Sequence, residues 1–308
     1  MNTIQQHTSE FLHTRRSRIT PAQAGVSTDN TVRRVAGLRR EEVARLANIS
    51  VDYYIRIERG NLSGVSPDIL DALSRALQLN EVEREYLFLL SRAATMPRSL
   101  AESAAGTGSV EGRSAEGNPA ENNLAGRSPA QDTPESPVLR PTITRILHSM
   151  ETPAVICDAK LAIVAANSLG KALLSPILQS PQGQRSIVYF IYLDPHARDF
   201  FPNYEEITIH SAASLRMEAA RRPYDAQLPA LIDDLLHSSE LFRQRWTMRE
   251  VWVHRHGDKA LRHPLVGELD LRYEVLLLPG PEGFSLNAYT AAPGSTSAAR
   301  LEELAATL

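Results

Sequence analysis

LRREEVARLANISVDYYIRIERG, residues 38–60, decides how the first third of this chain folds. Its apolar positions Val43, Ala44, Ala47, Ile49, Tyr54 and Ile57 do not follow one helix of period about 3.6. They fit two short helices separated by a break after Ala47. Two helices joined by so tight a turn, with Ala44 small enough for close approach, describe a helix-turn-helix. Asn48 stands where such a turn usually wants glycine, and asparagine tolerates left-handed backbone better than most residues. Ser50 is placed to cap the second helix. With Tyr54 and Ile57 turned inward, that helix exposes Val51, Asp52, Tyr53, Arg56 and Arg59, a face suited to the major groove of double-stranded DNA.

The residues around this motif read as helical too. FLHTRRSRI is expected as a first helix, SPDILDALSRALQL as a fourth with Ser66 as cap and Pro67 at its first position, and NEVEREYLFLLSRAA as a fifth opened by an Asn80–Glu83 capping box. The expectation is an all-α, five-helix domain over residues 1–94. Its charge supports the DNA reading: within residues 1–60 there are 10 basic residues against 6 acidic, all of the basic ones arginine, although the whole chain carries −3. A local basic face acts independently of the total.

Composition changes at residue 95. Residues 95–137 draw 23 of their 43 positions from Ala, Gly, Ser and Pro, too little apolar surface to offset the entropy of ordering them. A disordered linker is expected there. As a flexible coil it would span roughly 33–39 Å, enough for each DNA-binding domain to reach its half-site without a rigid connection, so that a signal would act through dimerisation of the C-terminal halves.

Beyond the linker, residues 138–308 mix patterns. PTITRILHSM is helical, PAVICD and LAIVAAN read as a strand pair turning at Asp158 to Lys160, and DPHARDFF is expected as a helix capped by Asp194. EEITIHSAASLRMEAARR, AQLPALIDDLLH and SSELFRQRW follow as helices. In GELDLRYEVLL, Leu269, Leu271, Tyr273, Val275 and Leu277 alternate with charged neighbours, one buried face and one wet face. REVWVHRH before it and FSLNAYTA after it are expected to complete antiparallel hairpins. The sum is an α+β domain with an antiparallel sheet of about five strands.

Composition also excludes some chemistry. The lone Cys157, in an apolar run, leaves no disulfide and no thiolate zinc site, and is expected as a buried inert thiol. His254 and His256 share one side of the expected strand at a metal-compatible spacing, but no further ligand stands near, so no metal and no cofactor are expected. No nucleophile elbow, phosphate loop or carboxylate pair appears, and no catalytic residue is assigned. No apolar run is long enough to span a membrane; a cytoplasmic protein is expected.

Taken together, RRVAGLRREEVARLANISVDYYIRIERGNLSGVSPDILDALSRALQLNEVEREYLFLL resembles the Cro/repressor-type DNA-binding domain of bacterial MmyB-like regulators. The C-terminal half is similar to the same subfamily through PAVICDAKLAIVAANSLGKALL, LDPHARDFFPNYEE, SLRMEAARRP, LFRQRW, RHPLVGELDLRYEVLLLP and YTAAPGS. The resemblance implies a PAS-like fold for that half, a homodimeric transcription regulator, and a small apolar ligand of fatty-acid type. Departures exist: Val35 and Ala36 replace the usual Thr-Pro before the motif, which weakens its cap, Tyr204 replaces a tryptophan, and Arg249 and Glu250 replace a His-Asp pair.

Candidate residues follow. On DNA, Arg39 and Arg40 (with Arg45) are placed for phosphate contact, although a solvated helix face is the plain alternative. Arg56 is the best base reader, since its fork takes guanine O6 and N7 together. Asp52 accepts from a cytosine amine or stabilises its own helix N-terminus. Ser50, Val51, Tyr53 and Arg59 complete the face. In the C-terminal half the resemblance places Arg216, Trp246 and His263 at the border of the ligand cavity, and Asn167, Phe242 and Tyr273 are candidates beside them; on the residues alone, Phe242 and Trp246 are core aromatics and Arg216 a surface charge. Two alternatives remain at this level, a C-terminal domain that only dimerises or binds a protein, and one with an enzymatic activity.

Overall fold

The computed structural model describes residues 3–26, 35–95, 139–280 and 283–308. The expected linker, apart from Thr95, lies outside them. The N-terminal domain is built from α1 (Thr3–Arg18), α2 (Arg40–Leu46), α3 (Val51–Glu58), α4 (Pro67–Ala76) and α5 (Glu81–Thr95). The first helix starts eight residues before the expected one, because TIQQHTSE contributes the wall on which Gly60 packs. A Cβ at Gly60 would stand 2.1 Å from the Gln5 carbonyl oxygen, and its φ of +89 is itself glycine territory. The capping box of α5 is reciprocal: Asn80 N donates to Glu83 Oε2 at 3.0 Å and Glu83 N to Asn80 Oδ1 at 2.9 Å.

One buried carboxylate ties three of these helices. Glu58, at the end of α3, accepts from Arg16 Nε of α1 at 2.6 Å, from Arg40 of α2 and from the Tyr54 hydroxyl. Burial alone would raise the Glu58 carboxyl, but the hydrogen bonds from Arg16 and Arg40 outweigh it and hold the group below its usual range.

The C-terminal domain opens with α6 (Pro141–His148), β1 (Ala154–Cys157) and β2 (Ile163–Ala166), followed by four short helices, α7 (Ser168–Leu173), α8 (Ser175–Gln179), α9 (Pro181–Arg185) and α10 (Ile187–Leu193). Next come α11 (Ala197–Phe200), α12 (Tyr204–Arg221), α13 (Gln227–Ser238) and α14 (Glu240–Thr247), then β3 (His256–His263), β4 (Gly267–Leu277), β5 (Ser285–Thr290) and α15 (Thr296–Ala305). The sheet is five-stranded and antiparallel, in the PAS-like order β2-β1-β5-β4-β3. β4 keeps the expected alternation through Leu269, Leu271 and Tyr273, which are buried between exposed neighbours, but the buried face ends there: Val275 is half-buried and Leu277, expected inside, is exposed at the end of the strand.

Two local expectations are corrected. Asp194 caps a turn by accepting from His196 N at 2.8 Å, so α11 begins only at Ala197. Of REVWVHRH only the last residue, His256, is in a strand: residues 248–255 form an irregular strap, entered at Arg249 with a left-handed φ of 57, and the strand partner of β4 is His256–His263.

The domains touch directly, which a loose tether did not anticipate. Helix α12 packs on α5, and Met217, Ala220 and Val251 are buried in the core of the N-terminal domain. Ion pairs stitch the seam: Arg18–Glu250 at 2.6 Å, Arg249–Glu10 at 2.8 Å, and Glu85 shared by Arg221 (2.9 Å) and Arg255 (2.7 Å).

Candidate functional site

In the helix-turn-helix, Ala44 is fully buried at the crossing of α2 and α3, and Asn48 takes the left-handed turn with φ 54. Ser50 Oγ accepts from Tyr53 N at 3.2 Å, the cap expected of it. Lacking Thr-Pro, the start of α2 is closed from the other direction, by Arg39 N donating to Glu42 Oε2 at 2.6 Å. Along α3, Tyr54 and Ile57 are buried while Val51, Asp52 and Arg56 are exposed, with Arg59 exposed just past its end. Arg56 lies over the Tyr53 ring, 4.7 Å from its centroid, so the two hold one another on the outer face. Arg39 is half-exposed beside Glu41, at 3.4 Å. Arg40 is split between duties: its stem and guanidinium are half exposed, yet it pairs with Glu58. Arg40 and Arg59 also line a groove whose far wall is Thr247 and Arg249 of the C-terminal domain.

Behind the seam lies a cavity of about 170 Å³. Its floor is the sheet, through Cys157, Lys259, Leu261, Tyr273, Val275, Asn287 and Tyr289; α10 and α12 wall it with Ile187, Ile191, Ile207, His210 and Ser214. The strap closes it with Trp252, Val253 and His254. Trp252 stacks on His210 at 3.9 Å and His254 on Tyr273 at 4.1 Å. Burial, then the charges of Lys259 and His210, push His254 down to about 3, so it is neutral at pH 7. Cys157 is the inert thiol expected, pushed up to about 12 by burial and accepting from Asn287 Nδ2.

Of the six residues placed at the ligand by resemblance, Tyr273 lines this cavity and the other five stand away from it. Arg216 sits two residues, about 200°, around α12 from Ser214 and Glu218, and faces the seam. There it donates to the Glu250 carbonyl at 2.5 Å and to the Trp246 carbonyl, and lies 4.1 Å over the Trp246 ring. Burial lowers it to about 10, still charged at neutral pH. Trp246 and Phe242 stack on each other at 5.6 Å in the core. His263 lies beyond the cavity on the same face of β3 as Lys259 and Leu261. Its Nε2 is 3.0 Å from the Ala172 carbonyl and its Nδ1 accepts from Leu265 N, which ties the β3–β4 turn to α7. Asn167 caps α7, its Oδ1 accepting from Gly170 N and Ala154 N and its Nδ2 donating to the Met150 and Thr152 carbonyls. With every polar atom used, it has nothing left for a ligand. Trp252 and Lys259 line the cavity without having been singled out from the sequence; the pattern Trp-Val-His looked like part of a strand.

Among the described residues no cluster of three or more His, Cys, Asp or Glu is arranged to hold a metal ion, and no helix is long and apolar enough to cross a membrane.

Comparison with known families decides the identity of this architecture. Residues 139–304, more than half of the chain, match the MmyB-like transcription regulator ligand binding domain. The chain belongs to the MmyB-like transcription regulators. Residues 10–87 match a helix-turn-helix domain, which covers α2, α3 and the Glu58 cluster. Among curated proteins none matches the chain. The two assignments together make this MmyB-like protein a ligand-responsive DNA-binding regulator.

Proposed function

We propose that the regulator reads DNA with α3, Arg56 specifying a base and Arg39, Arg40 and Arg59 meeting phosphates, and that an apolar ligand in the cavity sets its operator affinity through the strap. One observation carries the second part. Residues 248–255 present Trp252, Val253 and His254 to the cavity, while Arg249, Glu250, Val251 and Arg255 of the same segment bind the N-terminal domain. A ligand that moves one set moves the other, and the groove shared by Arg40, Arg59 and Arg249 lies at the end of that path. Differential contact with two arrangements of the strap is what a ligand needs to shift an equilibrium.

The homodimer implied by family resemblance belongs to the same reading, with two α3 helices set for half-sites roughly 34–36 Å apart. The fatty-acid class implied by that resemblance is supported in its apolar part by the Ile and Leu walls. The test selects duplexes from a random pool with the intact chain, then measures affinity with and without small molecules released from protein purified from its own cells. Arg56→Ala is expected to cost about 1–3 kcal/mol at one base position, and Arg40→Ala to weaken all duplexes and reduce the salt slope by about 0.9 per lost contact. Equal losses on selected and random duplexes for both variants would remove Arg56 from the reading face. An extract that leaves affinity unchanged would remove the ligand control.

A further inference from the structure

The groove shared by the two domains is cationic. Arg40, Arg59 and His13 stand on its N-terminal side and Arg249 on its C-terminal side. Its two acids are already answered: Glu10 holds Arg249 at 2.8 Å, and Glu58 is held by both Arg16 and Arg40. Four arginines against two glutamates leave the cluster a surplus of positive charge. Part of that surplus is uncommitted. Among the described residues no side chain pairs with Arg59, which is exposed just past α3, and Arg40, half exposed, spends only its Nε on Glu58. Forked donors left open at a surface match the oxygens of a phosphodiester.

The groove is also continuous with the reading face. Arg59 follows directly on Glu58, the last residue of α3, and Arg40 is the first residue of α2. In a helix-turn-helix the first helix of the motif crosses the DNA backbone while the second lies in the major groove. A duplex that takes Val51, Asp52 and Arg56 in its major groove therefore brings a backbone strand past Arg40 and Arg59. That strand is an unbroken line of charge, one for about every 1.7 Å of axis with both strands counted. It does not end at Arg59. The next arginine around the groove is Arg249, and it belongs to the other domain.

We infer that the operator's phosphate backbone lies in this groove, so that Arg249 and His13 meet DNA together with the helix-turn-helix and the C-terminal domain is itself part of the DNA-binding surface. This rests on the DNA reading by α3 proposed above and extends it across the seam. A phosphate at Arg249 competes with Glu10 for one guanidinium. Arg249 also opens the strap whose Trp252 closes the cavity, so DNA and an occupant of the cavity pull on the same segment. Coupling of that kind is reciprocal.

The experiment measures binding of the intact chain to one selected and one random duplex at fixed salt, in variants that break the same ion pair from opposite ends. Arg249→Gln is expected to bind both duplexes about threefold more weakly or worse. Glu10→Gln frees Arg249 and removes a charge that repels phosphate, and is expected to bind both about threefold more tightly. An ion pair that only fastens the domains would move the two variants in one direction, and that result would overturn the inference. A field acting from a distance is separated by the Arg255–Glu85 pair, 2.7 Å apart on the seam and outside the groove. Arg255→Gln and Glu85→Gln should differ from each other by less than about twofold, since salt screens charges farther off than a Debye length; a spread as wide as that of the groove pair would also overturn it. On the unaltered protein, a photoreactive group carried on single backbone phosphates should attach to residues 247–249 from at least one position. Attachment confined to residues 1–94 from every position would refute the contact even if a variant fails to fold. The two readings fail separately: if Arg56→Ala still singles out one base while the groove variants move together, reading by α3 stands and the contact from the C-terminal domain falls.

Discussion

The seam between the domains and the cavity behind it share α12 and the strap, yet the seam holds a fully buried cation and the cavity a partly buried one. At the seam Arg216 has its guanidinium on two carbonyls and an aromatic face, all from its own chain. In the cavity Lys259, only partly buried, lies over two rings, and among the described residues no side chain pairs with it. A saturated cation fastens structure and has no capacity left for a ligand. A partly buried one keeps water within reach and costs less to hold unpaired.

The largest effect expected of this contrast lies in a third, fully saturated cluster. Glu58→Ala leaves Arg16 buried without its carboxylate and should cost about 3–5 kcal/mol, seen as a lower urea midpoint with unchanged slope; a loss under 1 kcal/mol would mean that water replaces the carboxylate. Arg216→Met strands the Glu250 and Trp246 carbonyls and should cost about 2–3 kcal/mol. Its thermal unfolding should move several degrees below that of the unaltered protein, and an unchanged midpoint would mean that water replaces the guanidinium.

Lys259→Met should act with the opposite sign. Removing a partly buried cation that no described side chain pairs with is expected to stabilise the protein by about 1 kcal/mol at most, and destabilisation would show that Lys259 has a partner. The smallest effect is in pH. Because the folded pKa of Lys259 lies below its ordinary 10.5, its contribution to stability is full above 10.5 and is lost as pH falls through 8. The stability difference between Lys259→Met and the unaltered protein should therefore shrink as pH rises from 8 to 10.5; a flat difference would return Lys259 to ordinary hydration.

How much of this was legible follows from where single-face patterns hold. The alternation of β4 could be read directly because one face meets the core and the other meets water. Asn48 and Ser50 announce the turn of the helix-turn-helix through backbone chemistry that depends on few neighbours. The strap defeated the same reasoning, since Val251 is buried against the N-terminal domain and Trp252 against the cavity. Alternating burial against two different partners looks identical to a strand in sequence, and the Glu250 carbonyl that a strand would offer sideways is taken by Arg216. Helices α7 to α10 have seven residues or fewer, too short for a period to declare itself. For the cavity lining the difficulty was angular: Ser214, Arg216 and Glu218 all lie on one helix, and only its packing says that the middle one faces away.

Glu85 deserves a last consequence. Its carboxylate serves Arg221 and Arg255 together at a partly open edge of the seam, where dissolved ions screen such pairs effectively. The same ions also compete with this protein for phosphates. An ionic-strength titration of operator binding by the intact chain thus reports two equilibria at once, closure of the seam and release of counterions. Its slope becomes a count of phosphate contacts only when compared with that of a Glu85→Gln chain, in which the first equilibrium has already been relaxed.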